Sequence, residues 1–181
     1  MERNDVDPSN KKTTRRTAPG GDLPDLIALH LDDEVMRHLG GVRSPKETAE
    51  YLAANVDHWD RHGFGLWVVR LLDGEFAGRV GIRHITIDGI AEVEVAYTFR
   101  RSLWGRGLAT EALGFLVDFG FNQRRLPSLV GVASIGNAAS RRVMEGAGFA
   151  VERQLSYSDE EVALYRKRAA GVSDSEPHHV V

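Results

Sequence analysis

Between residues 64 and 99 the chain runs in short apolar or alternating segments cut by turn signals. Residues 64 to 72 are almost wholly apolar, as expected of a strand buried on both faces. Asp73-Gly74 is a hairpin signal, and residues 76 to 87 read as the next strand. Asp88-Gly89 is a second turn, after which Val93, Val95, Tyr97 and Phe99 alternate with Glu92, Glu94, Ala96 and Thr98. Period two marks a strand, so the region predicts an antiparallel meander. The period then changes. Ala109, Ala112, Leu113, Leu116, Val117 and Gly120 fall on one face of an amphipathic helix. Between strand and helix lies Leu103-Trp104-Gly105-Arg106-Gly107-Leu108-Ala109-Thr110. Glycines let backbone approach a ligand with no Cβ in the way. The free N–H groups of a helix start, with the helix dipole, suit an anionic group such as phosphate.

The flanks extend the pattern. Residues 22 to 31 and 33 to 39 read as short helices. Ser44-Pro45-Lys46-Glu47 is a capping-box signature with proline at the first helical position. It opens a helix that carries Ala49, Leu52, Ala53, Val56 and Trp59 on one side and stops near His62-Gly63. Downstream come a strand over 128–134, a helix from about Asn137 to Ala147, and a terminal hairpin of residues 150–157 and 161–168. Residues 1–21 are polar and charged and are expected to be disordered or weakly ordered. Any strand at Lys12 to Ala18 would be weak, because the segment lacks alternation. Residues 169–181 are expected to form a disordered tail, leaving one domain over 22–168.

Composition narrows the classes. A chain of 181 residues with 42% hydrophobic and 27% charged residues fits one soluble domain. A net charge of −3 implies no strong nucleic-acid electrostatics. The absence of cysteine excludes disulfides, thiolate metal sites and a cysteine nucleophile, and fits a reducing cytoplasm. No apolar run approaches the ~20 residues of a membrane span. The N-terminus lacks the apolar stretch of a signal peptide. The histidines are read as lacking ligand spacing, with His178-His179 in the tail, so no metal is expected.

Three phosphate-binding readings compete for the glycine loop, beside a turn with no ligand. A Walker A loop needs a Gly-Lys pair, and the chain has none. A dinucleotide fingerprint needs a third small residue and a later acidic one, but Thr110 and the run Asn122-Gln123-Arg124-Arg125 stand there. Thirdly, Trp104-Gly105-Arg106-Gly107-Leu108-Ala109 resembles the acyl-CoA pyrophosphate loop of the GNAT acetyltransferase superfamily, Arg/Gln-x-x-Gly-x-Gly/Ala. Trp104 stands in the place of Arg or Gln, as in the branch resembling ribosomal-protein N-terminal acetyltransferases (RimJ/RimL-like). Asn137-Ala138-Ala139-Ser140 and Glu145-Gly146-Ala147-Gly148-Phe149 resemble the same family's Asn-x-x-Ser and Glu-x-x-Gly-Phe segment, in the right order and at the usual distance. The resemblance covers about residues 22 to 168.

The resemblance implies an α/β GNAT fold: a mixed, mostly antiparallel sheet of six or seven strands flanked by helices. It implies acetyl transfer from acetyl-CoA to a primary amine, either a protein N-terminal alpha-amine or a small-molecule amine. The alternative is a module that binds acyl-CoA without turnover. Trp104, Gly105, Arg106, Gly107, Leu108, Ala109 and Thr110 would hold the pyrophosphate, with Arg142 meeting CoA phosphates. The pantetheine would pair with backbone at Tyr97, Thr98 and Phe99 and contact Asn137. Glu94 is the expected general base, with Glu92 as the second candidate. Ser140 would hydrogen-bond the CoA sulfur and help protonate it. Many relatives place a tyrosine where this chain has Met144, whose thioether donates no proton. The early helices would form the acceptor groove. A homodimer is left open; no nucleic acid or membrane is expected as a partner.

Overall fold

The computed structural model describes residues 4–5, 13–17, 22–157 and 160–171. The rest of the expected N-terminal disordered segment, and the tail beyond residue 171 with His178 and His179, lie outside the described residues. The elements in chain order are β1 (Asn4–Asp5), β2 (Thr13–Thr17), α1 (Leu23–Leu31), α2 (Asp33–Met36), α3 (Pro45–His62), β3 (Leu66–Leu71), β4 (Phe76–Ile87) and β5 (Ile90–Phe99). Then follow α4 (Leu108–Asp118), β6 (Ser128–Ser134), α5 (Ala138–Gly146), β7 (Ala150–Tyr157) and β8 (Glu160–Arg168).

The strands form one sheet in the order β1-β2-β3-β4-β5-β6-β8-β7. That is eight strands where six or seven were expected. The surplus lies at the N-terminal edge, where β1 spans two residues and β2 pairs with β3 from Thr13–Leu71 to Thr17–Trp67. The ladder with β3 places β2, although its sequence carries no alternating pattern. All the pairings are antiparallel except β5 with β6.

Local chemistry explains the element ends. Ser44 Oγ accepts from Glu47 N (3.3 Å) while Glu47 Oε2 accepts from Ser44 N (2.8 Å), completing the capping box of α3. Gly63, at φ +68°, ends α3 in the left-handed conformation that glycine adopts without strain. Asp88 and Gly89 both have positive φ (50° and 80°), so the β4–β5 turn has the primed geometry that matches strand twist.

Each sheet face is covered by its own helices. On one side α4 and α5 pack Leu113, Leu116 and Met144 against Val80, Ile82, Val93, Val95 and Trp67. On the other, α1 to α3 pack Leu26, Leu29, Met36 and Leu52 against Val68 and Phe76. A bulge between Val69 and Arg70 shifts the β3–β4 register. Val162, Leu164 and Tyr165 of β8 are buried, as their apolar run predicts.

Candidate active site

The parallel pair β5–β6 touches at one register position, Glu94 with Val130. Beyond that point no ladder pairing joins the two strands, and the sheet forks. A forked strand edge offers N–H and C=O groups to an extended ligand. The residues expected to meet pantetheine, Tyr97, Thr98 and Phe99, stand on the β5 side of this fork. Helix α5 begins on the other side. Asn137 caps it, its Oδ1 accepting from Ser140 N at 3.0 Å. Ser140 then faces the fork: its Oγ lies 2.9 Å from the Tyr97 phenol oxygen, and the phenol also donates to the Ser140 carbonyl at 3.3 Å.

The glycine loop lies at the open end of β5. Gly105 (φ +74°) and Gly107 (φ +79°) are both left-handed, and a Cβ on either would meet nothing within 4 Å. The cradle therefore faces open space. Gly107 is the N-cap of α4 and supplies no side-chain cap, so the first-turn N–H groups are left for a ligand. Leu108 is buried and anchors the loop in the core. Trp104 is half exposed and ties the loop to β5, its indole N–H donating to the Phe99 carbonyl at 2.9 Å. Arg106, Thr110 and Arg142 are exposed, and Ala109 is half-buried. A glycine cradle, an uncapped helix start and exposed arginines suit a phosphate-bearing ligand.

The two faces of β5 carry different chemistry. Glu94 is buried on the α1–α3 side, where Arg83 stands opposite it in register and donates from Nε to Oε2 at 2.8 Å. Glu92 shares this face, but Arg166 grips both of its oxygens, at 2.6 and 3.0 Å, and also pairs with Glu152. Glu92 is thus tied into a structural ion-pair network. Tyr97 points to the α4–α5 side. Burial pushes its phenol up to about 12, against the Ser140 hydrogen bond, which lowers it. The phenol is therefore protonated at neutral pH. Met144 is buried and packs against Gly131.

Sequence reasoning placed Tyr97 here only as a backbone partner and missed its hydroxyl. The signal available was the period of two, which puts Tyr97 on the face that meets α5. A cleft of about 770 Å³ opens between α1 and the end of β5, lined by Asp25, Leu29, Phe76, Arg101 and Ser102 among others.

The histidines, expected to lack ligand spacing, do have it. His58 and His62 stand four apart on α3, a ligand spacing, and β4 brings His84 to them; their ring nitrogens lie within 4.8 Å of one another. Both nitrogens of His58 are, however, engaged by backbone. Nδ1 donates to the Phe64 carbonyl (2.7 Å) and Nε2 accepts from His84 N (3.0 Å). The ring closes the sheet edge left where β3 begins, and the cluster carries no metal assignment.

The profile of the family described as Acetyltransferase (GNAT) domain matches residues 14–150. A protein of Bacillus subtilis, the uncharacterized protein YkkB, is 30% identical over 142 residues, covering 78% of this chain and 83% of that protein. The crystal structure of an acetyltransferase from Agrobacterium tumefaciens superposes with a TM-score of 0.78 at 26% identity, covering 92% of this chain and 99% of that one. The spermidine N-acetyltransferase of Vibrio cholerae, solved with CoA and spermine, superposes with a TM-score of 0.73 at 18% identity, covering 88% of this chain and 96% of that one. The last likeness concerns the fold alone.

Proposed function

The chain belongs to the GNAT acetyltransferase family and is an acetyl-CoA-dependent N-acetyltransferase, and on that premise we propose that its two catalytic groups work from opposite faces of β5. The observation that carries this reading is the fork. At the fork Glu94 lies on one face of β5 and the Tyr97–Ser140 pair on the other. The acceptor amine, entering from the α1–α3 side, loses a proton to Glu94 and attacks the thioester carbonyl carbon. A C–N bond forms and the C–S bond breaks. Tyr97, through Ser140, returns a proton to the departing thiolate. That role replaces the tyrosine missing at Met144. No enzyme nucleophile is needed, since the acyl group arrives activated; positioning and proton transfer are what the site supplies.

The pyrophosphate is held by Gly105 to Thr110, with Arg106 and Arg142 at the phosphates, Trp104 bracing the loop, and Asn137 and the β5 edge along the pantetheine. The motif built on Trp104 supports the RimJ/RimL-like branch, and resemblance to that branch supports an alpha-amine acceptor; the lack of cysteine fits a reducing cytoplasm.

The reading is tested first by binding. Acetyl-CoA at 100 times its Kd contributes ~2.7 kcal/mol to stability, so the melting temperature should rise by several degrees. An amine panel read by CoA release then identifies acceptors. Unchanged melting at millimolar acetyl-CoA would remove the reading.

A further inference from the structure

On the sheet face that carries Glu94, one buried arginine lacks a carboxylate partner. The β4–β5 register sets Arg83 opposite Glu94 and Arg79 opposite Thr98. Arg83 is neutralised by Glu94. Arg79 is not. It is 6% exposed, its Nε has no hydrogen-bond partner, and no carboxylate lies within 4.0 Å of it among the described residues. A buried guanidinium without a counter-ion is among the costliest groups a fold can hold.

The groups packed around it share the deficit. The Tyr51 ring lies against two guanidinium groups, with Arg79 5.0 Å and Arg43 5.4 Å from its centroid. Arg43 hydrogen-bonds the Leu39 carbonyl and approaches the Met36 sulfur, which are neutral partners. The Tyr51 hydroxyl is buried with no partner, and so are Thr98 Oγ1 and His30 Nε2. His30 meets Tyr51 edge-on, with ring centroids 5.1 Å apart, while its Nδ1 lies 3.1 Å from Thr48 Oγ1. Burial and the two arginines keep the His30 imidazole neutral, its pKa lowered to about 3. Four buried polar groups from α1, α3, β4 and β5 therefore stand together unsatisfied, in a neighbourhood where Arg79 and Arg83 share the one carboxylate of Glu94. Such groups are ordinarily satisfied. The ligand chemistry that satisfies this set at once is an oxyanion, which accepts from a guanidinium and from hydroxyls and compensates the charge.

We propose that Arg79, Tyr51, Thr98 and His30 form an anion subsite for the acceptor, so that the amine acetylated here carries a carboxylate or phosphate on the same molecule. The inference rests on the acetyl-transfer reading and names its substrate class. Glu94 takes the proton from the amine, while Arg79 holds the anion. A polycationic amine is disfavoured, because it would bring positive charge to three arginines.

The test is a matched acceptor panel with the full chain and acetyl-CoA: L-amino acids, the same amino acids as carboxamides, O-phosphoethanolamine and spermidine. Loss of a hydrogen bond to a charged group corresponds to roughly tenfold or more in affinity, so acids should exceed their amides by at least that in kcat/KM. Spermidine should be the poorest acceptor. Arg79→Met should bring acid and amide together by raising KM for the acid, and Tyr51→Phe should do so in part, with acetyl-CoA binding unchanged. An amide used as well as its acid, a best acceptor without an anion, or a preference untouched by Arg79→Met would overturn the proposal.

A second measurement needs no turnover. In the ¹⁵N-labelled protein, with and without CoA, the Arg79 Nε–H resonance should shift saturably on addition of acetate or phosphate, with Arg79→Lys identifying the peak. The two anions separate a carboxylate from a phosphate site. An unresponsive resonance overturns the subsite even in an active enzyme. A responsive one in a protein that fails to bind acetyl-CoA counts against the transferase reading instead.

Discussion

Glu94 does two jobs in the proposed site, and a single substitution separates them. Its Oε2 takes the Arg83 Nε–H at 2.8 Å, and among the described residues Oε1 has no hydrogen bond. One oxygen is thus fixed and the other is available to an amine. Glu94→Gln keeps the volume and an acceptor for Arg83, and removes the basic carboxylate. The expected outcome is a fall in kcat of roughly 10²–10⁴ with acetyl-CoA affinity preserved. An unchanged rate on a responsive acceptor would take Glu94 out of the mechanism. On the opposite face, Tyr97→Phe removes the hydroxyl 2.9 Å from Ser140 Oγ and keeps the ring in the core. If this pair protonates the thiolate, Tyr97→Phe and Ser140→Ala should each lower kcat, and the double variant should fall no further than the worse single. Residues acting through one proton path are non-additive in this way. Independent, multiplying losses would mean that the two hydroxyls do not share a path.

Helix α4 tests the cofactor loop as an element. Gly107 sits at φ +79°, and a Cβ there would meet nothing within 4 Å, so Gly107→Val strains the backbone without striking a neighbour. The strain is ~1–3 kcal/mol and the loop is exposed, so the sheet should still fold while acetyl-CoA binding is lost. Gly114→Ala is the control. It adds a methyl into open space inside α4, and its φ is not left-handed. It should leave binding intact and slightly favour the helix. If Gly107→Val binds normally, the loop does not hold the pyrophosphate. Elements of this kind were legible in the sequence because their determinants are local. The capping box, the two Asp-Gly turns, the period-two run before the loop and the period-3.6 run after it each lie within a few residues. What was not legible depended on distant pairing. Strand β2 exists through its ladder with β3, which three helices separate from it along the chain. The bulge at Val69 decides which face the start of β4 serves. Arg79 reads in the sequence as an ordinary polar strand position, and only the packing of α1 and α3 reveals it as buried. His84 joins His58 across 26 residues.

At the scale of the whole molecule, the buried imidazoles set the response to acid. His30 is wholly buried, and burial with the nearby Arg79 and Arg43 lowers its pKa from 6.5 to about 3. His58 and His84 are also lowered, each mainly by burial, although both are partly exposed. A lowered pKa means that the unfolded chain takes up protons the folded chain refuses. The stabilisation from these groups is therefore complete above the unfolded value of about 6.5 and declines as pH falls below it. For His30 the decline continues down to about 3. Each refused proton costs up to ~1.4 kcal/mol per pH unit. Glu47 and Glu152 act in the same direction, but only below the ordinary carboxylate value of 4.5, because Ser44 and Arg166 hold their pKa values down. Between pH 6.5 and 4.5 the histidines therefore dominate. The melting temperature should fall steadily through that window, and the pH dependence of unfolding free energy should correspond to at least one proton. His30→Asn should lower stability at pH 7 through lost packing against Tyr51, yet give a flatter profile, with about one proton less in the slope. A slope identical to that of the parent protein would mean that His30 titrates normally and is not held neutral by its surroundings.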